Sequence, residues 1–217
     1  MIADTTDRTP RTQIMDAAVR AFAEHGYHGV SMRALAKNVR RAPATFYSHF
    51  ASKEDLLFAM QTCAFDRLLG GGLDAVRQSR TGADRLRAFI GRHVDFVVAN
   101  PELMRVLIYE ASALPRRRRE QVKQRKREYF ELARSVVKQT LDDSDVAGDS
   151  TDPVAVDRLT YCLFGMLNWT FAWYAAGEHG SPDDLATTIH RTLLHGVRTP
   201  PSTTARAPRH ARESRPR

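Results

Sequence analysis

Between residues 31 and 53 the chain carries Arg33, Lys37, Arg40, Arg41 and Lys53 and no acidic residue, a local charge of +5. Ser31, Thr45 and Tyr47 add hydroxyls to the same stretch, and hydroxyl and ammonium donors are what the phosphate oxygens of nucleic acid accept. Lys53 also lies beside a helix start at Ser52, and a helix N-terminus is a favourable site for an anion. These residue types offer recognition of a polyanion rather than catalysis. The whole chain, at +8 over 217 residues, leans the same way, but the placement of the charge is more informative than its size.

Other chemistries find little support. No Gly-rich phosphate loop and no His-Glu-x-x-His stands in the sequence, and His190 and His195, five apart, fall on different faces of a helix. The acidic run Asp142, Asp143, Asp145, Asp149 fails the calcium-loop pattern, because Ala147 takes the fifth place counted from Asp143 and Val154 the twelfth. No enzyme activity, cofactor or metal is therefore expected. Cys63 and Cys162 sit in apolar helical stretches and read as buried thiols of a reducing compartment. No stretch approaches the roughly 18 apolar residues of a membrane span, and Met1 to Pro10 is polar, so a cytoplasmic protein with no membrane partner is expected.

The elements that must position the basic stretch are helices. Ile14, Ala17, Ala18, Ala21 and Phe22 form the buried stripe of an amphipathic helix that Gly26 ends. Ser31 caps a short second helix, Pro43 suits the first turn of a third, and Ser52 with Asp55 starts a fourth by a variant capping box. Gly70, Gly71 and Gly72 together cost about 2 to 3 kcal/mol of helix propensity and predict a break or hinge in the fourth helix. Asn100, Asp152 and Ser181, each before a proline, predict helices over 101–112, 153–176 and 182–196, with others over 83–99 and 116–142. No segment shows strand alternation, so the fold is expected to be all-α.

The run Ala44-Thr45-Phe46-Tyr47-Ser48-His49-Phe50, followed by Ser52-Lys53-Glu54-Asp55-Leu56-Leu57, resembles the signature of the tetracycline-repressor family, and Ile14, Ala17, Ala18, Phe22, Gly26, Leu35 and Ala36 match upstream. The resemblance covers about the first 58 residues. It implies a three-helix helix-turn-helix head over residues 1–52 and a helical effector-binding and dimerisation body over 53–199. Phe46 and Phe50 would pack the recognition helix inward, while Pro43, Ala44, Thr45, Tyr47 and His49 would face the DNA groove or its phosphates, with Ser31, Arg33, Arg40, Arg41 and Lys53 around them. Two positions depart from the pattern. Arg40 stands where the family has its turn glycine, and Ala42 replaces the usual Ser or Thr cap, forfeiting about 1 kcal/mol.

The stretch from Val154 to Tyr174 is apolar almost all round and must be covered on several sides. It and the following helix match the two helices through which the family forms homodimers, so a homodimer on a palindromic double-stranded operator is expected. The run Gly165-Met166-Leu167-Asn168-Trp169-Thr170 resembles a subgroup that controls fatty-acid or acyl-CoA metabolism. A small hydrophobic effector is thus expected, with Phe89, Phe96, Met104, Ile108, Tyr109, Phe130, Phe164 and Trp169 as candidate contacts and the basic run from Arg116 to Arg127 as a candidate for an anionic head group. The tail over 200–217, with four prolines and a net charge of +4, is expected to be disordered. The function implied is a ligand-responsive transcriptional repressor. The competing expectation is an architectural DNA-binding protein with no effector.

Overall fold

The computed structural model describes residues 9–38, 43–143 and 152–195, and among these every regular element is a helix. The order is α1 (Pro10–Gly29), α2 (Met32–Asn38), α3 (Pro43–His49), α4 (Lys53–Arg77), α5 (Gly82–Ala99), α6 (Pro101–Tyr109), α7 (Arg116–Asp142), α8 (Pro153–Trp173) and α9 (Pro182–His195). Arg40, Arg41, Ala42 and the tail lie outside the described residues.

Local rules account for most of the helix ends. The Thr9 hydroxyl accepts from the Thr12 amide at the start of α1, and Gly26, at φ 72°, takes the chain out of helical geometry where the stripe ends. Ser31 Oγ accepts from the Ala34 amide, Ser52 Oγ from the Asp55 amide and Ser181 Oγ from the Asp184 amide. Asn100 behaves differently. Its side chain makes no cap bond to α6; its amide instead donates to Phe96 O at 2.7 Å, closing the end of α5.

Two apolar cores stack along α4. The first joins Phe22, Leu35, Phe46 and Phe50 of the head to Leu56, Leu57 and Met60 of α4, and it is closed by Leu103, Val106, Leu114 and Val122. The second gathers Leu86, Phe89, Ile90, Tyr129, Val136, Leu163, Leu167, Leu185 and Ile189 from α5, α7, α8 and α9. Phe65 and Phe96 pack against both.

The glycine triplet does not break α4, which runs unbroken from Lys53 to Arg77. Glycine serves close packing there. A Cβ on Gly72 would lie 3.1 Å from Leu132 Cδ2 and 3.4 Å from Tyr129 Cε2, and one on Gly71 would lie 3.1 Å from Arg92 Nη2. Burial of neighbouring helices against this bare strip offsets the poor propensity of the residues that form it. A tighter approach occurs at Gly82, where a Cβ would lie 2.7 Å from Gln139 O and from the Thr140 backbone. Asp143 Oδ2 accepts from the Gly82 amide and Thr140 Oγ1 donates to Gly82 O, so backbone meets backbone with no side chain able to yield. Gly82→Ala is expected to lower the denaturant midpoint by the equivalent of about 1 to 3 kcal/mol; an unchanged midpoint would show that α5 and α7 can part freely.

One side of α8 is left open within the single chain. Val156, Thr160, Leu163, Leu167 and Thr170 are buried within the chain, whereas Val154, Tyr161, Trp169 and Trp173 are exposed. Cys162 lies on that open side rather than in a core, and Cys63 is half-buried.

Candidate nucleic-acid interface and effector cavity

The head sorts its residues by face. Leu35, Ala36, Phe46 and Phe50 are buried, while Arg33 and Lys37 on α2 and Ala44, Tyr47, Ser48 and His49 on α3 are exposed, with Thr45 half-buried. Tyr47 keeps half of its surface open on a seven-residue helix. The Ser31 hydroxyl caps α2 and remains exposed beside Arg33. The exposed surface of the α2–α3 unit thus carries cations, hydroxyls and an aromatic ring, the mixture a DNA groove and its phosphates engage.

Lys53 occupies a more constrained place than a surface cation. Its Nζ donates to Tyr27 O and Val30 O, each at 2.8 Å, and lies 4.3 Å from the centre of the Tyr27 ring. Two of its donors therefore hold carbonyls at the end of α1, where a cation is favoured by the helix dipole. Lys53→Met is expected to lower stability by about 1 to 2 kcal/mol, read as a denaturant midpoint, without altering the DNA sequence selected. An unaltered midpoint with a weaker salt dependence of DNA binding would return Lys53 to a purely phosphate-contacting role.

Two further ties hold the head on the body. Glu110 Oε1, just past α6, accepts from the Tyr27 amide at 3.0 Å, and Gln61 of α4 donates to Glu110 O at 3.2 Å. Arg118 of α7 pairs with Glu54 at 3.0 Å and with Asp55, while its guanidinium lies over Phe58. The Arg118 hydrogen bond, helped by Ser52, holds the Asp55 carboxyl below the usual carboxylate range.

The body encloses a cavity of about 530 Å³ between α4, α5, α6, α7 and α8. Of the expected contacts, Met104, Ile108, Phe130, Phe164 and Trp169 line it. Phe89 does not: it is fully buried behind the wall, stacked on Tyr129 at 5.2 Å. Phe96 lies under the Arg67 guanidinium in a separate cleft, and Tyr109 packs edge-on to Phe171 near the surface. Lining residues beyond the expected set include Phe65, Leu107, His93, Tyr129 and Tyr161. Lys126, from the basic run, and Asn168 also line it, the lysine exposed and so at the rim. His93 Nδ1 lies 2.9 Å from the Tyr129 hydroxyl. Burial pushes the His93 pKa down to about 4 and the Tyr129 phenol up, so both are neutral at pH 7.

A helix-turn-helix head tied at several points to an all-helical body is the plan of a DNA-binding transcriptional regulator. The family model for bacterial regulatory proteins of the tetR family matches residues 14–60, and the tetracyclin repressor-like C-terminal domain matches residues 79–197. The chain belongs to the tetracycline-repressor family of transcriptional regulators. A TetR-family regulator from Bordetella parapertussis superposes with a TM-score of 0.78 at 26% identity, covering 88% of this chain and 97% of its own. The fatty acid metabolism regulator protein of Bacillus subtilis is 22% identical over 85% of this chain and 94% of its own length. The fold is shared by AibR, solved in complex with isovaleryl coenzyme A and operator DNA, at a TM-score of 0.73 and 22% identity, covering 84% of this chain and 97% of that one. No helix among the described residues is long and apolar enough to cross a membrane.

Proposed function

We propose that this protein is a ligand-responsive repressor that binds a palindromic operator as a homodimer in the cytoplasm and leaves it when a hydrophobic small molecule, acyl-CoA-like in character, occupies the cavity. The observation that carries this reading is the double use of α6 and α7. Met104, Leu107 and Ile108 line the cavity a turn from Glu110, which holds the Tyr27 amide, and Tyr129 and Phe130 line it on the helix whose Arg118 holds Glu54 and Asp55. A ligand that moves either helix must move the head. Lys126 at the rim suits a phosphate or carboxylate end. The names of the Bacillus subtilis relative and of the AibR complex support an acyl-type ligand. The uncovered face of α8, with Tyr161 and Trp169 66% and 55% exposed, supports burial against a second copy.

In this reading Arg33, Arg40, Arg41, Thr45, Tyr47 and His49 meet the DNA, with Pro43 and Ala44 close to it and Ser31 and Lys53 at its phosphates. Two heads must then sit about 34 Å apart, one helical turn of the duplex. The test is selection of an operator from random DNA, followed by titration of a long-chain acyl-CoA into free protein and into the protein–operator complex. A coupling of about 1 to 3 kcal/mol separates the two affinities by about 5- to 150-fold, by reciprocity the loss of operator affinity. Equal affinities would show that the compound is no effector.

A further inference from the structure

His93 is 1% exposed, lines the inner wall of the cavity, and has one ring nitrogen, Nε2, with no hydrogen-bond partner among the described residues. Such an atom inside an apolar wall calls for an explanation, since buried polar groups are paired in the great majority of proteins. Its protonation follows from its neighbour. A neutral imidazole has one N–H and one bare nitrogen, and a phenol has one proton to give. If Nδ1 carried the proton and donated to Tyr129, both the phenol proton and the bare Nε2 would lack a partner. If Tyr129 donates to a bare Nδ1, only the Nε2 proton lacks one. The second arrangement leaves fewer groups unpaired, so Tyr129 fixes His93 as an Nε2–H donor.

We infer that His93 Nε2–H is the recognition donor of the effector cavity, and that the molecule bound there is an apolar compound carrying a hydrogen-bond acceptor, such as a carbonyl oxygen, at its buried end. This rests on the reading of the cavity as an effector site and alters it at one point: the buried end of the acyl-type chain carries an oxygen in place of a plain alkyl terminus. His93 and Tyr129 lie on the buried wall, whereas Lys126 is exposed at the rim. His93 and Lys126 thus define the ends of the ligand, an acceptor inside and a polar or anionic group outside, with Phe130, Phe164 and Trp169 offering apolar surface between and Asn168 a further polar contact. A plain alkyl tail driven inward would leave the donor unpaired and would be disfavoured against one bearing an oxygen there.

The probes are undecan-2-one and undecane, which match in length and differ in the carbonyl. Their affinities are measured for the full-length protein and for His93→Phe, which keeps an aromatic ring and loses the donor. Comparing the ratio of the two affinities between proteins cancels the different hydration of the probes. The expected result is that His93→Phe lowers the ketone-to-alkane ratio about tenfold, as loss of a buried hydrogen bond does. An unchanged ratio with both probes bound and releasing DNA would overturn the donor assignment and leave the effector site standing; binding of neither probe to the unaltered protein would overturn both. Should His93→Phe fail to fold, the histidine nitrogen-15 spectrum of the unaltered protein decides. Expected are a protonated Nε2 and a bare Nδ1 for His93 at pH 7, with the Nε2 signal moved by the ketone and not by the alkane. The opposite tautomer, or an identical response to both probes, would overturn the inference.

Discussion

Operator affinity is expected to fall about 10⁴-fold when monovalent salt rises from 50 mM to 200 mM. Each head presents Arg33 and Lys37 on an exposed face, and Lys53, Arg40 and Arg41 belong to the same acid-free stretch. If each subunit of a dimer neutralises about four phosphates, about eight counterions are released and log K falls with log salt at a slope near −7. Random DNA, bound through the same phosphates, should show a similar slope from a weaker starting point. Fluorescence anisotropy at four or five salt concentrations measures both. A slope between zero and −2 would mean that the head does not engage the backbone as a pair, and the repressor reading would fail with it.

The second large effect is in stability against pH. His93 titrates near pH 4 in the folded protein because burial disfavours its charged form, and near 6.5 when unfolded. Below pH 6.5 the unfolded chain therefore binds a proton that the folded protein refuses. The stability is fully present above pH 6.5 and is lost as the pH falls toward about 4, by about 2 kcal/mol at pH 5 and about 3 kcal/mol at pH 4. Asp55 adds a loss of the same sign at lower pH, since its carboxyl is held below the ordinary range. The histidine is isolated by comparison with His93→Phe, whose unfolding free energy should slope less steeply with pH over this window. Parallel slopes would mean that His93 is solvated and charges without penalty.

The limits of the sequence are as physical as its successes. Helix starts at Ser31, Ser52 and Ser181 are legible because a cap is a bond across two or three residues. The inward turn of Phe46 and Phe50 is legible because helical period decides it. Gly70 to Gly72 misleads because propensity is local, whereas Gly71 and Gly72 face neighbours on α5 and α7, at Arg92, Tyr129 and Leu132; nothing approaches Gly70. Asn100 looks like a cap by position but reaches back to Phe96 O. The His93–Tyr129 pair joins residues 36 apart on different helices, each at an ordinary core position, and nothing in either neighbourhood announces the other. Five of eight expected cavity residues line the cavity, because apolar character marks an aromatic as buried without saying which side of a wall it takes. Phe89 and Phe164 both lie near Tyr129, but Phe164 lines the cavity and Phe89 stands behind its wall.

The first apolar core does not end where the DNA-binding head ends. Leu103, Val106, Leu114 and Val122 close it from α6, the turn after it and α7, with α6 packed on α1. Modularity is restricted accordingly. A fragment cut after residue 52 would lose these four residues together with Leu56, Leu57 and Met60 of α4, would leave the head's share of the core facing water, and should not fold as a monomer. A chimera that grafts this head onto another body would need the same four positions, with Glu110 and Arg118, carried across the junction. The unit that can be exchanged between relatives is thus discontinuous in sequence, and recombination at a single crossover point would break it.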